Sequence, residues 1–585
     1  MFTRPDFRYW PATAAFLIVG LLVWVALPGM VVTLDEDFWY LRSVVKTIQK
    51  GRPWPDDWLT PWAASSSLIS AGLFKLTGSF TMAIHLQLAA AAGLVGTAMT
   101  LYLKRQGVSG PRSLLATALV LLCPTALFMF LMFTGVALYL ACLWWCLLLA
   151  DQRRWGWFLL LWAVALASRQ SAVVWMALPG WHWLGFCWQN RSLIPRTREQ
   201  KTLAAVLPAS VLVLILIRLG MNPTEGQRLV VGGLQGTLTS GRILLPLGLG
   251  AVAALAGMAV TALLRLPDTW AAVDPREKAI RLCLAAVQAG AGAWAIPWFA
   301  GASLNTHDRY RDDFTRAWLP ALGAALGAGL ALGGTLKFRY DALLAAAGSL
   351  LLVSIYAGQF DYYFIEAFSF ALVAAWPAHA LAPAVSMPRP TAIWPRRAVL
   401  IGSAVLALGT AVWHARSLIR LAAQQDRAAG VIMLYENSLR SGRLAPQDVG
   451  ITTFGYHGWL FQEYYAAHEG RHLPQLGGFM RYGQPWDNTA GTGILTSYPK
   501  EFRNWRGVIP TRNNTTLRDA RGLAEIGSIE ASFLHFYKVR YQLLRGNTAG
   551  PVVPGKLPDP AIYRRLPFPL NDEEWRHLIL TSPPL

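Results

Sequence analysis

The chain has 585 residues, of which 54% are hydrophobic and only 14% charged. Soluble domains have about 25% charged residues, so this composition excludes an ordinary soluble enzyme as well as collagen-like and disordered chains. The formal net charge of +20 would suit a nucleic-acid-binding protein, but an excess of Lys and Arg also marks the cytoplasmic loops of membrane proteins. The position of the basic residues along the chain decides between these two meanings.

A helix of about 18 to 24 apolar residues can cross a bilayer, and apolar runs near or somewhat below this length recur through residues 1–413. We count about 13 of them, and the first is too long for the core of a signal peptide. They lie near 13–33, 84–102, 113–130, 133–150, 155–168, 171–188, 202–219, 243–264, 282–300, 317–335, 342–358, 366–382 and 398–413. The stretch 67–83 is predicted to be a re-entrant or interfacial helix.

Lys and Arg concentrate in alternate loops, such as 191–201 and 265–281. The positive-inside rule places these loops in the cytoplasm. The N-terminus is then inside, and the odd number of spans leaves the C-terminus outside. The net charge is therefore mainly a signal of topology, and we expect a lipid bilayer rather than nucleic acid as the partner.

From residue 414 the composition becomes polar, with Gly, Pro and Asn turns. A strand-like run covers 449–454, and a helix is predicted over 460–468. The tail is long enough to form its own core. The predicted fold is a polytopic α-helical membrane domain, 1–413, followed by an extracytoplasmic α/β domain, 414–585.

Carboxylates are concentrated in the first predicted outer loop, 34–83. They are Asp35, Glu36, Asp37, Asp56 and Asp57. Carboxylates beside hydrocarbon are costly unless they are solvated, paired or coordinated, which makes this loop a candidate site. The alternative is that they are solvated juxtamembrane charges or a helix N-cap.

The spacing of these residues resembles the first outer loop of the GT-C superfamily of membrane glycosyltransferases, in particular the aminoarabinose lipid A transferase and protein O-mannosyltransferase group. Asp35-Glu36 matches the acidic pair after the first span, Trp39 matches the aromatic residue, and 57–61 (DWLTP) matches the Asp-Trp-x-x-Pro segment. Arg169-Gln170 occupies the turn between the fifth and sixth spans, where relatives often have Lys. The resemblance implies a GT-C-like fold in the bacterial cytoplasmic (inner) membrane.

The chain also departs from the family's pattern. His85 stands where Arg is usual, Thr134-Gly135 replaces an acidic residue, and Asp361-Tyr362-Tyr363 replaces an Arg-Tyr pair. These changes argue against either named subfamily, so the sugar donor and the acceptor class stay open.

The resemblance implies an inverting transfer of a sugar from a polyprenyl-phosphate donor to an acceptor hydroxyl on the outer face. Such a transfer needs a general base for the hydroxyl and cations for the leaving phosphate. Asp35 is the predicted base, and Glu36 binds the acceptor or holds Asp35. Asp37, Asp56 and Asp57 are secondary acidic or acceptor residues. The acceptor is a glycan, a lipid or a protein.

Basic residues on the predicted outer side are candidates for binding the donor phosphate, because Arg, His and Lys suit phosphate recognition. They are Arg169, His85, Lys75, His307, Arg309 and Arg311. Lys75 would alternatively snorkel to lipid headgroups, and His307 to Arg311 would alternatively be a charged loop paired with its own Asp residues. Trp39, Tyr362 and Tyr363 are candidate residues lining a cavity. Alternatively, the two tyrosines and nearby Glu366 belong to the belt of residues at the membrane interface.

Two rival functions use the same features. A lipid-linked glycan flippase or transporter would have ionisable residues near the middle of the membrane and two similar halves, whereas these spans are nearly free of charge. An O-antigen-type polymerase or ligase would use a pyrophosphate donor. No cofactor is certain; the acidic loop could bind a divalent cation, but no His/Asp triad has ligand spacing.

Overall fold

The fold is given by a computed structural model, in which most of the described residues are helical. The structure describes residues 37–54, 64–108, 110–121, 130, 133, 135–219, 251, 253–261, 274–301, 320, 323–324, 326–329, 342, 344–348, 364–374, 449–452, 493–496, 523–533, 537–546 and 576. A 3₁₀ helix, Gln170–Met176, separates the sixth and seventh α-helices. The α-helices are α1 Asp37–Lys50, α2 Ala64–Thr77, α3 Phe80–Arg105, α4 Gly110–Leu121, α5 Val136–Asp151, α6 Trp155–Leu166, α7 Ala177–Asn190, α8 Arg198–Leu219, α9 Pro275–Gly301 and α10 Phe364–Ala374.

Two of the described helices, α3 and α8, are long and apolar enough to cross a membrane. They have 26 and 22 residues, and about 20 helical residues span 30 Å. Within the most apolar stretch of each helix, 67% of the residues are buried in α3 but only 17% in α8. The two helices therefore have different surroundings: α3 lies mostly within the protein, whereas α8 presents an apolar surface outward.

Helices α3 and α8 confirm helical structure over the predicted spans 84–102 and 202–219. Helices α5 and α6, of 16 and 12 residues, cover only part of the predicted spans 133–150 and 155–168. The predicted span 171–188 differs, because its first part is a 3₁₀ helix.

Helix α9 begins earlier than the predicted span 282–300. Asp274 caps its first turn, since the Asp274 side chain accepts a hydrogen bond from the Arg276 N–H at 2.7 Å. Glu277 and Arg281 then form an i, i+4 ion pair at 2.5 Å. This capped and paired turn extends the helix into the segment predicted to be a basic loop.

The predicted helix 67–83 is divided at Gly78, which separates α2 from α3. Gly78 has φ +68°, in the left-handed region that favours glycine. Its N–H donates to the Phe74 carbonyl oxygen at 2.8 Å and closes α2. Ser79 Oγ accepts from the Met82 N–H at 3.1 Å and caps α3. The segment is therefore two helices rather than one.

Helices α5 and α6 form an antiparallel hairpin with a large aromatic core. Arg153 in the connecting turn has φ 57°, and its N–H donates to the Ala150 carbonyl oxygen at 2.9 Å. Nearly every side chain of α5 is buried. Trp144, Trp155 and Trp162 are at most 1% exposed, so aromatic burial fixes this pair of helices.

Close helix packing elsewhere depends on glycine. A Cβ atom added to Gly292 would overlap the Gly323 backbone, and one added to Gly327 would overlap the Gln288 backbone. Gly257 likewise lies against the backbone at Phe368 in α10. Small residues let helix backbones approach this closely in membrane proteins.

The predicted tail contains a four-stranded sheet. Its strands are β1 Val449–Thr452, β2 Gly493–Thr496, β3 Leu523–Phe533 and β4 Tyr537–Gly546, in the order β1-β2-β4-β3. β1 pairs with β2 in parallel, whereas β4 pairs antiparallel with both β2 and β3. A strand is confirmed over Val449–Thr452 of the run predicted at 449–454. Residues 453–454 and the helix predicted over 460–468 lie outside the described residues.

The chain divides into two compact units. The first comprises Met1–Ala26, Pro53–Leu73 and His85–Ala415, and it contains α4 to α10. The second comprises Leu27–Arg52, Phe74–Ile84 and Arg416–Leu585, and it contains α1 and the sheet.

Candidate functional site

Most of the predicted catalytic and donor-binding residues lie outside the described residues. They are Asp35, Glu36, Asp56, Asp57, His307, Arg309, Arg311, Tyr362 and Tyr363. Asp37 and Trp39 lie in the first turn of α1, where the helix dipole favours a carboxylate. The roles assigned to all these residues stay predictions.

The helix that follows the acidic group is buried. In α1, the side chains of Tyr40, Leu41 and residues 43–47 are at most 8% exposed. The sequence of this segment predicts an amphipathic helix, but three of its polar residues, Ser43, Lys46 and Thr47, are buried together with the apolar ones. Lys46 is only 4% exposed, and a buried ammonium requires compensation by polar or charged groups. Lys46 is thus a candidate residue that the sequence analysis missed.

Two predicted phosphate ligands lie on consecutive helices. Lys75 is exposed in the last turn of α2, where a cation is favoured by the helix dipole. His85 is half-buried in the second turn of α3. Close by in sequence, Gln87 Oε1 accepts a hydrogen bond from the Ser70 hydroxyl at 2.5 Å. His85 is therefore partly covered by protein, whereas Lys75 lies on the surface.

Arg169 lies in the turn that was predicted between the fifth and sixth spans, and its backbone is held on both sides. Its N–H donates to the Ala165 carbonyl oxygen at 2.8 Å, at the end of α6. Its carbonyl oxygen accepts from the Ala172 N–H at 3.1 Å, in the 3₁₀ helix. Arg169 itself is extended, with φ −154°. These bonds fix the point from which the guanidinium extends.

A buried carboxylate and a buried phenol meet beside this turn. Glu366 is in the first turn of α10 and is 5% exposed, and Tyr139, near the start of α5, is fully buried. The Tyr139 hydroxyl donates to Glu366 Oε2 at 3.2 Å. Glu366 is thus held by Tyr139 at the N-terminal end of α10.

Arg169 completes a three-residue group, called here the Arg169 cluster: Arg169, Tyr139 and Glu366. The Arg169 Cζ atom lies 5.8 Å from the centroid of the Tyr139 ring, in the range of a cation–π contact. Arg169 is half-buried. A guanidinium has five N–H donors and stays charged in proteins. The cluster can therefore present a fixed cation to an anionic ligand.

Aromatic residues fill the bundle next to the cluster. Phe370, one turn after Glu366, lies 4.7 Å from Trp144 and 4.8 Å from Trp175 between ring centroids. All three rings are at most 2% exposed. They exclude water from this side of the cluster, and a low-dielectric surrounding strengthens its electrostatic contacts.

The start of α2 is attached to the same turn as Arg169. The Ser65 N–H donates to the Ala167 carbonyl oxygen at 3.0 Å. The Ser65 hydroxyl lies 2.5 Å from the Ser168 hydroxyl and 3.1 Å from the Val164 carbonyl oxygen. The serine-rich start of α2 is thus bonded to the helical bundle through Ser65.

Several buried donors in this region form no hydrogen bond within the described part of the chain. They are the hydroxyls of Ser66 and Ser171 and the indole N–H groups of Trp144 and Trp175. Buried polar groups are nearly always paired with protein, water or ligand. Ser171 is two residues from Arg169, so this turn holds a buried hydroxyl that a bound ligand can pair with.

The opposite end of α5 carries two ion pairs whose arginine side chains are exposed, and the group is called here the basic end: Arg105, Gln106, Asp151, Arg153 and Glu199. Arg105 Nε lies 2.7 Å from Asp151 Oδ2, and Gln106 Nε2 donates to Asp151 Oδ1 at 3.2 Å. Arg153 lies 3.4 Å from Glu199. These residues belong to segments that were predicted to be cytoplasmic.

Across the described ranges, no three His, Cys, Asp or Glu side chains come together as a metal-binding group. The carboxylates that suggested a divalent cation, apart from Asp37, lie outside those ranges. The cation therefore stays a prediction.

Comparison of the chain with family models, with curated proteins and with solved structures found no match.

Proposed function

We propose that the chain is a polytopic membrane glycosyltransferase with about 13 spans, an N-terminus inside and a C-terminal α/β domain outside. It transfers a sugar from a polyprenyl-phosphate carrier to an acceptor hydroxyl with inversion at the anomeric carbon. The bilayer, the lipid-linked sugar and a glycan, lipid or protein acceptor are its partners.

The exposed surface of α8 supports a lipid surrounding. Leu212 and Leu216, one turn apart, are 56% and 58% exposed. Such a helix would be unstable in water, because its apolar face would stay hydrated. In a bilayer the same face would contact lipid tails, which are as apolar as leucine side chains.

The observation that carries the proposal is the position of the Arg169 cluster. It lies at the end of the α5–α6 hairpin that is opposite the basic end. If the basic end is cytoplasmic, Arg169 lies on the outer side, where a lipid-linked donor would place its phosphate. An arginine held against buried aromatic rings suits a phosphate better than a solvated surface arginine does.

The proposed reaction balances without a nucleotide. Asp35 takes the proton from the acceptor hydroxyl, and the acceptor oxygen forms a bond to the anomeric carbon. The bond from that carbon to the phosphate oxygen breaks, and its electron pair leaves with the polyprenyl phosphate. Arg169 stabilises the negative charge on this leaving group.

The decisive variant is Asp35→Asn in the full chain, purified in lipid nanodiscs. Removing a general base should lower the rate of sugar transfer by about 10³-fold, as measured with a panel of polyprenyl-phosphate sugars. Asp274→Asn is the matched control, because Asn still caps α9 and the transfer rate should stay unchanged. Full activity of Asp35→Asn would reject Asp35 as the base.

Mass spectrometry of lipid that co-purifies with the chain separates the rival functions. A polyprenyl monophosphate is expected. A pyrophosphate-linked glycan would instead favour a polymerase or ligase. Movement of a lipid-linked sugar across liposomes without covalent transfer would favour a flippase.

A further inference from the structure

We infer that Tyr139 and Glu366 are positioning residues that set the strength with which Arg169 binds the donor phosphate. The inference rests on the proposed function, and it goes further by assigning to two residues a role that acts through Arg169. It starts from the order of contacts within the Arg169 cluster, which runs from carboxylate to phenol to guanidinium.

Glu366 is held in place by Tyr139 and by its position at the start of α10. A carboxylate that is 5% exposed needs hydrogen bonds and a favourable field to stay charged. It has the Tyr139 hydroxyl at 3.2 Å and lies in the first turn of α10, where the helix dipole favours an anion. The carboxylate in turn fixes the direction of the Tyr139 O–H bond.

The Tyr139 ring connects Glu366 to Arg169. A phenol that donates to a carboxylate gains electron density in its ring, because hydrogen-bonded groups polarise one another in a low-dielectric surrounding. The guanidinium carbon of Arg169 is 5.8 Å from the centroid of that ring. The cation–π attraction is electrostatic, so the Glu366 carboxylate strengthens it through the phenol.

Restraint of the Arg169 side chain lowers the entropy that is lost when a ligand binds. Arg has one of the largest side-chain entropies, and holding it before the ligand arrives lowers the cost of association. Backbone hydrogen bonds fix Arg169 at Ala165 and Ala172, and the ring restrains its side chain. A phosphate that binds the guanidinium then takes less conformational freedom from the Arg169 side chain.

Binding of a long-chain polyprenyl phosphate to the full chain in nanodiscs tests the inference, with the uncharged polyprenol as the matched ligand. Tyr139→Phe keeps the ring but removes the hydroxyl, and it should weaken phosphate binding about 3- to 10-fold. Polyprenol binding should not change.

The same substitution in an Arg169→Ala background shows whether Tyr139 acts through Arg169. If it does, Tyr139→Phe should have no further effect on phosphate binding once the guanidinium is absent. An equal loss in both backgrounds would mean a general structural role and would overturn the inference. The thermal unfolding midpoint of each variant verifies that the fold is retained.

The two proposals fail in different ways. If the unmodified chain binds the phosphate no better than the polyprenol, the proposed function is rejected and the positioning role falls with it. If the phosphate is preferred but Tyr139→Phe binds it as the unmodified chain does, only the positioning role is rejected.

Discussion

The two ends of the α5–α6 hairpin hold their charges in different ways. At the basic end the Arg105–Asp151 contact is short, 2.7 Å, but the arginine side chain is 48% exposed. In the Arg169 cluster the Tyr139–Glu366 hydrogen bond is longer, 3.2 Å, but both residues are buried. Exposed ion pairs contribute about 0–1 kcal/mol, whereas a buried polar group is costly if it loses its partner. Burial rather than distance therefore decides which end is sensitive to substitution.

The difference also bears on function. Exposed basic residues at a helix end are typical of a topology signal, and their exact partners matter little. A charged residue held among buried aromatic rings is costly to keep, and such residues are by default candidates for a functional site in membrane proteins.

Accessibility of the two ends from outside the cell gives the largest expected contrast. Single cysteines at Gln170→Cys and Arg154→Cys are introduced in a chain whose five native cysteines are replaced. A membrane-impermeant maleimide should label the first in intact cells and the second only after permeabilisation, because the two positions lie at opposite ends of the hairpin. The reverse pattern would invert the proposed topology, and the cysteine-free chain is the background control.

Charge removal at each end should change the transfer rate unequally. Arg169→Ala should lower kcat/KM by about 100-fold, because charge-assisted hydrogen bonds to the phosphate are lost. Arg105→Ala should change it less than about twofold, because the Arg105 side chain is 48% exposed and lies at the end of the hairpin away from the proposed phosphate site. Steady-state rates with one lipid donor measure both. Equal losses at the two ends would remove the basis for placing the phosphate at Arg169.

The sequence could predict one part of the Arg169 cluster but not the others. Arg169 interrupts two apolar runs, so a turn carrying a cation was evident from spacing alone. Tyr139 is an aromatic residue within an apolar run, and its partner Glu366 is 227 positions away. A contact at that separation depends on tertiary packing, although an acid beside a charge-free span was a usable signal.

The sequence could not predict how deeply α1 is buried. Its polar and apolar residues predict an amphipathic helix, and a helix is confirmed from Asp37 to Lys50. The pattern cannot distinguish a polar side that faces water from one that is covered by protein. The burial of Ser43, Lys46 and Thr47 required the three-dimensional arrangement.

Stability should respond more to the loss of a buried partner than to the loss of an exposed one. Glu366→Ala leaves the Tyr139 hydroxyl without this acceptor and should lower the free energy of unfolding by about 1–3 kcal/mol. Glu366→Gln keeps an acceptor and should cost less. Arg105→Ala removes a side chain that is 48% exposed, and it should cost no more than about 1 kcal/mol. Thermal unfolding in one detergent compares the three, and a larger loss for Arg105→Ala would contradict the importance of burial.

The smallest effect is expected for the Arg153–Glu199 pair. The two side chains are 65% and 40% exposed and 3.4 Å apart, so Arg153→Ala should change the free energy of unfolding by no more than about 0.5 kcal/mol at low salt. Raising the ionic strength to 1 M shortens the Debye length to about 3 Å, and the difference should then vanish. The Tyr139–Glu366 contact is shielded from ions, so the cost of Glu366→Ala should persist at that salt concentration. A cost of Glu366→Ala that also vanished in salt would show that solvent reaches both ends of the hairpin alike.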